Sequence, residues 1–168
     1  AYVRLHTIAP VQLDFVRRHL LVVAKDLAEL NIPLLVVRVQ KPADIAAELL
    51  RIAQNVEADY CYFNAEYPLN ELNRDIAVNQ LLRDNGILVK RCHDRCVVPP
   101  GMIRNGQGDP YKVFTAFKKK WLQTMMPVAI KPLASPAKQL AVSGVATASI
   151  DEINQLFSAH ELRDLSEL

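Results

Sequence analysis

No stretch of the sequence approaches the roughly 20 apolar residues a membrane-spanning helix needs. The opening "AYVRLHTIAP" lacks a charged segment followed by an apolar one, so no secretory leader is expected there. Cysteine is scarce. The three thiols, Cys61, Cys92 and Cys96, are an odd number, which argues against a disulfide framework and for a reducing compartment, the cytoplasm. Charge of one sign is also lacking. Twenty Lys and Arg against 18 Asp and Glu leave a net charge of +2, too little for a dedicated nucleic-acid binder. No GxGxxG, Walker-type, HExxH or GxSxG motif occurs. His6, His19, His93 and His160 are scattered, and no nucleophile–base pair can be read from spacing. Cys92 and Cys96 flank His93, but no second ligand pair stands at zinc-site spacing, so no metal is expected.

What is present is ordinary globular composition. The chain has 168 residues, 51% of them hydrophobic and 23% charged, enough for one domain with a sizeable core. Apolar residues at Leu13, Val16, Leu20, Val23, Leu27 and Leu30 recur in steps of three and four, one face of an amphipathic helix over 11–30. Pro10 suits its first turn. "LLVVRV" (34–39) reads as a strand buried on both faces. A second helix follows with Ile45, Leu49, Ile52 and Val56 inward, then a strand over 59–63. A third helix closes at Gly86, and "ILVKR" (87–91) makes a third strand. This alternation predicts an α/β fold: a Rossmann-like open parallel sheet with helices on both faces. In such sheets ligands lie beyond the carboxyl ends of the strands. Those ends are "QK", "NAEYPLNE" and "CHDRCVVPPG".

Two features suggest a piece of something larger. A doubly wound domain usually begins with a strand, and here a loop and helix come first, so truncation at the N-terminus is expected. After Met126 the chain becomes rich in proline and small residues, as a linker or a stretch of coil laid over a surface would be. "SIDE" (149–152) is then a capping box opening a terminal helix with Ile153, Leu156, Phe157 and Leu162. The expected division is an α/β domain over 1–130, a linker over 131–148 and a helical segment over 149–168.

Three further motifs each have a plain reading beside a functional one. "NGQG" (105–108) is a turn or, less economically, a phosphate cradle. Tyr111, Phe114, Phe117 and Trp121 form an aromatic stripe at helical spacing, which is usually core, and the lysines off the stripe form its solvated face. "NELNRD" (70–75) places Asn70 where it could cap a helix and Glu71 in the first turn, where the helix dipole favours a carboxylate. The alternative is that both face the crevice at a strand end and hold a ligand.

"CVVPPGMIRNGQGDPYKVFTAFKKKW" resembles a stretch of DNA photolyases and cryptochromes. In that family a Pro-Gly turn is followed by Tyr, Val, an aromatic, Thr or Ser, Pro, an aromatic and Trp. Here these are Pro100–Gly101, Tyr111, Val113, Phe114, Thr115, Phe117 and Trp121, with Ala116 in the usual proline place. "NIPLLVVRV" and "YFNAEYPLNELNRD" are similar to two upstream family segments, with Asn31 in the usual glycine place of the first. The resemblance covers about residues 5–130.

The resemblance implies a fragment of a light-driven enzyme that repairs cyclobutane pyrimidine dimers in DNA. A reduced FAD in the family's following helical domain passes an electron to the flipped-out dimer. The present piece would be the antenna domain, holding a second chromophore that passes excitation to the flavin through space, which needs no reactive side chain. In the bacterial branch this chromophore is methenyltetrahydrofolate, and Asn70, Glu71 and His6 match its contacts by position. The implied partners are the FAD-binding domain of the same parent protein and, for the parent, UV-damaged DNA; no membrane partner is implied. Family topology puts the 34–39 strand at the far edge, two absent strands away from the others. Open strand edges, and association through them, are therefore expected of the piece, as are lack of repair activity and weak folate binding. A cryptochrome photoreceptor domain and a generic nucleotide-binding α/β module are the alternatives.

Overall fold

The computed structural model describes residues 8–126 and 133–163. They belong to two compact units, one formed by Ala1–Ile45 with Ser135–Leu168 and the other by Ala46–Ala134.

The Ala46–Ala134 unit carries the sheet. Its helices are the body of α2 (Ile45–Asn55), then α3 (Leu69–Asp84) and α4 (Phe114–Met125); its strands are β1 (Tyr60–Asn64) and β2 (Leu88–Cys92). The strands pair in parallel, with Tyr60 opposite Leu88 and Asn64 opposite Cys92. A parallel pair needs a crossover, and α3 supplies it. Asp75, Val78 and Leu82 are the buried residues of α3, spaced three and four apart on one face. That face packs on β2, whose Val89 is buried, and Ile87 and Ala65 are buried in the same unit. Leu82 is fully buried; removing such a side chain from water contributes about 1.5–3 kcal/mol.

The helix ends explain themselves locally. α3 stops where Gly86 turns to φ +80° and the Ile87 amide donates to the Leu82 carbonyl at 3.0 Å. This is the left-handed C-terminal turn in which glycine is favoured. The helix of the other unit, α1 (Pro10–Glu29), ends the same way with Asn31 at φ +59° and the Ile32 amide on the Leu27 carbonyl at 2.9 Å. Asparagine tolerates this conformation better than other non-glycine residues, so Asn31 can stand where the resembling family has glycine.

The other described unit is held by helix α1 and the short α5 (Ile150–Gln155), which contact each other. Pro10 occupies the first position of α1, as its fixed φ allows. Asp14 is buried, accepts from Arg17 at 2.7 Å and Arg18 at 2.6 Å, and Arg17 in turn donates to Asn154 on α5 at 3.1 Å. The Arg17 hydrogen bond leads in holding the Asp14 carboxyl below its ordinary pKa, against the opposing effect of burial. The expected capping box is present: the Ser149 hydroxyl accepts from the Glu152 amide at 3.1 Å, and the Ser149 amide donates to the Glu152 carboxylate at 2.7 Å. Ile153 and Phe157 are buried behind it.

Two expectations are corrected here. Residues 34–39 are not a strand. Leu34 bonds through its amide to Thr147 Oγ1 at 2.8 Å and through its carbonyl to the Ala148 amide at 2.7 Å, while Leu35 and Val37 are exposed. Among the described residues no strand pairs with this run. A β-branched sequence without a ladder partner has nowhere to place its amides and carbonyls in register. Among the described residues the sheet thus has two strands in place of the three read from sequence. The aromatic stripe is covered only in part, with Tyr111, Phe117 and Trp121 half-buried. Tyr111 lies before α4, Phe114 is 73% exposed, and no residue of α4 is fully buried. Spacing marks which residues share a face, and only the neighbours decide whether that face is covered.

Among the described residues no helix is long and apolar enough to cross a membrane. Residues 133–148 contain neither helix nor strand. They are tied to the end of α1 by Asn31 Nδ2 donating to the Gln139 carbonyl at 2.8 Å and the Gln139 amide donating to the Leu30 carbonyl at 2.8 Å.

Candidate functional site

The carboxyl ends of β1 and β2 lie side by side, and the loops that leave them are laced together. The Ala65 amide donates to the Cys92 carbonyl at 2.7 Å, extending the ladder by one rung. Asn64 Nδ2 donates to Asp94 Oδ2 at 2.7 Å. Arg95 reaches across to Glu66 at 2.7 Å. Tyr67 Oη and His93 Nδ1 are hydrogen-bonded at 2.9 Å, with their ring planes 12° apart. Burial leads in pushing the Tyr67 phenol above its ordinary pKa, with Cys96 and Asp94 adding to it.

Beneath this lacing sits a charged cluster. Asp75, nearly two turns into α3 on its buried face, is 3% exposed. Its carboxylate accepts from Arg74 at 2.7 Å and from the Glu66 amide at 3.4 Å, and pairs with Arg91 of β2 at 3.6 Å. Arg74 also donates to Glu66 at 3.1 Å. Burial works to lower the Arg74 pKa, but the hydrogen bonds it donates to Asp75 and Glu66 outweigh it and hold the guanidinium above its ordinary value. A buried carboxylate is tolerated because it is both paired and hydrogen-bonded. The consequence is mechanical: helix α3, strand β2 and the loop between β1 and α3 are pinned to one another at the sheet's carboxyl edge.

Asn70 and Glu71 occupy the second and third positions of α3. The structure corrects the capping reading for Asn70. The residue before the helix is Pro68, and no side chain caps it. Asn70 is exposed and Glu71 half-buried. Neither side chain forms a hydrogen bond or ion pair among the described residues. An amide and a carboxylate on adjacent residues, both without a partner among the described residues and at a positive helix end, are suited to a ligand with a planar edge of N–H donors and a carbonyl. That donor set fits the edge of a pterin. His6 lies outside the described residues.

Sequence reasoning missed Glu66, Tyr67, Arg74, Asp75, Arg91 and Arg95. The rule that ligands sit beyond strand ends did single out both loops that carry the lacing. Cross-loop pairs such as Tyr67 with His93 are 26 residues apart and leave no periodic trace. Among the described residues no three His, Cys, Asp or Glu side chains form a metal-binding group. The NGQG loop is a closed turn, with Arg104 donating to the Gly101 carbonyl at 2.8 Å and the Gly108 carbonyl at 2.9 Å.

The DNA photolyase family model matches residues 2–138. Among curated proteins, a deoxyribodipyrimidine photo-lyase of Vibrio cholerae is 38% identical over 125 residues, covering 74% of this chain and 27% of the relative. One of Salmonella typhimurium is 30% identical over 152 residues, covering 89% and 31%. One of Neurospora crassa is 31% identical over 122 residues, covering 70% and 20%. The chain therefore spans between a fifth and a third of the length of these relatives. The matched segment takes in both strands, the crossover helix α3 and the laced strand ends. The α/β architecture and the extent of that match agree, and the chain belongs to the DNA photolyase family.

Proposed function

We propose that this chain is the light-harvesting domain of a deoxyribodipyrimidine photolyase, holding a methenyltetrahydrofolate chromophore at Asn70 and Glu71, with His6 as a further contact. The observation that carries the reading is the amide–carboxylate pair on the first turn of α3, without a partner among the described residues, at the carboxyl edge of a parallel sheet. When bound, the folate supplies near-ultraviolet absorption and passes its excitation to a flavin. This chain's residues bind and orient. Glu71 accepts hydrogen bonds from N–H groups of the heterocycle, and the Asn70 amide both donates and accepts. Excitation transfer depends on distance and orientation, so a rigid mount is what the protein has to supply. The Asp75 cluster supplies it by pinning the start of α3 to β2.

In the parent enzyme the repair chemistry, electron transfer from reduced FAD to the dimer, is assigned to a helical domain beyond residues 1–130, with 131–148 as linker and 149–168 as the following segment. UV-damaged DNA is the partner of that domain. The exposed Lys118, Lys119 and Lys120 of α4 are assigned to solvent or to the domain interface. The outer edges of β1 and β2 are unpaired among the described residues, and the isolated chain is expected to associate through them.

Titration of the 168-residue chain with methenyltetrahydrofolate, followed by near-ultraviolet absorbance, tests the reading. Weak but saturable binding is expected, reduced about tenfold in Glu71→Gln by loss of a charge-assisted hydrogen bond. Absence of saturable binding, or an unchanged affinity in Glu71→Gln, would overturn the assignment of the site. The chain alone is expected to repair no dimers under illumination.

A further inference from the structure

Hydrogen bonds at Asn70 and Glu71 fix a planar ligand along its edge. They do nothing to fix its faces. A heterocycle mounted for excitation transfer needs its plane held as well, and the structure offers a surface for this three residues upstream. Tyr67 lies in the loop between β1 and α3, half-buried, with its ring nearly parallel to that of His93: 12° between planes, 5.9 Å between centroids. The two rings are joined at their edges by the 2.9 Å contact between Tyr67 Oη and His93 Nδ1.

Three features mark this pair as a built surface. The loops that carry the rings are tied together on both sides, by Asn64 to Asp94 at 2.7 Å and by Glu66 to Arg95 at 2.7 Å. A ring held in this way loses little freedom when a ligand arrives, so little of the stacking energy is spent on ordering it. The pair lies beyond the carboxyl ends of two adjacent parallel strands, the usual ligand position in open α/β sheets. Finally, the rings are not core: His93 is exposed and Tyr67 keeps part of its surface.

We propose that Tyr67, tethered by His93, is the stacking wall for the flat face of a pterin-class heterocycle whose polar edge is held by Asn70 and Glu71. The proposal rests on the folate reading given above. In it the Tyr67 ring supplies the contact, and the His93 imidazole sets the angle of that ring through its hydrogen bond.

The test uses the 168-residue chain, methenyltetrahydrofolate as the probe, and two readouts: affinity and the shift of the near-ultraviolet band on binding. Tyr67→Leu is expected to bind about tenfold more weakly and to lose the band shift, since a stacked aromatic contributes on the order of a tenfold change or more in affinity. Tyr67→Phe, which keeps the ring and loses the tether, should retain most of the band shift, and His93→Ala should behave like it. Glu71→Gln should weaken binding with the band shift intact. Trp121, the sole tryptophan, lies in the same unit and reports whether each variant is folded. If Tyr67→Leu does not fold, ring-current shifts of the Tyr67 protons in the unsubstituted chain decide: their absence on saturation overturns the wall. Equal affinity and equal band shift in Tyr67→Leu, with Glu71→Gln impaired, sinks the wall and leaves the folate site standing. The reverse pattern keeps the wall and removes Glu71 from the site. No binding by the unsubstituted chain removes both.

Discussion

Residues 34–39 and 87–91, "LLVVRV" and "ILVKR", are near twins in composition and meet different fates in the two units. The second ladders with β1 and buries Val89 against α3. The first runs beside 147–148, touches it through Leu34, and leaves Leu35 and Val37 in solvent. Strand propensity is a preference for a half-buried pleated surface, and a surface must exist before the preference can act. In the Ala46–Ala134 unit that surface is made by a crossover helix with an apolar face. In the other unit the stabilising contacts are helix to helix, through Ile153 and the Asp14–Arg17–Asn154 chain.

The comparison can be broken most forcefully at Leu82. Leu82→Ala empties a fully buried position on α3 and is expected to cost about 2–5 kcal/mol. Urea unfolding followed by Trp121 emission, which reports the sheet-bearing unit, measures it; a loss under about 0.5 kcal/mol, the usual size of a surface substitution, would mean that α3 is not the sheet's cover. Next comes a matched pair of prolines. Val89→Pro interrupts a buried ladder and should cost about 3 kcal/mol or more, whereas Val36→Pro, in unladdered chain, should cost less than about 1 kcal/mol. Equal damage from the two would show that 34–39 is laddered after all. Asp75→Asn keeps the shape and removes the charge that faces Arg74 and Arg91. A loss of about 1–3 kcal/mol is expected, with folate affinity falling alongside as the start of α3 loosens. A variant of unchanged stability would separate the cluster from the mount.

The smallest effect is expected from acid on the helical unit. Asp14 has a pKa lowered from 3.8 by its arginine partners. A depressed carboxyl stabilises the folded state above its unfolded pKa and loses that contribution as pH falls through the folded value. Amide exchange in α1 should therefore accelerate below about pH 3.8, and Asp14→Asn should flatten that part of the profile. Acid acceleration of equal size in the variant would assign it to other groups.

Much of the site was visible in sequence as location and little of it as interaction. The strand-end rule picked out both loops, and Glu71 stands in the first turn of α3 as read. Asn70 lies inside the helix and caps nothing, because Pro68 takes the position before the first turn. The Asp75 cluster was invisible for a plain reason. Its members come from a loop, a helix and a strand, and local patterns carry no information about which charges will face each other once a crossover is closed.

Helix starts and stops were legible in the residues alone, because those signals are short-range: Pro10 at a first turn, Asn31 and Gly86 in left-handed exits, Ser149 with Glu152 in a reciprocal cap. The alternation of elements likewise placed the chain among α/β folds. That one aliphatic run pairs and its twin does not, that Phe114 stays exposed while Phe117 and Trp121 are half-buried, and that Tyr67 meets His93 are settled by tertiary packing. Each of these depends on what another part of the chain brings alongside, and a hydrogen-bond ladder or a buried face is a property of two segments at once.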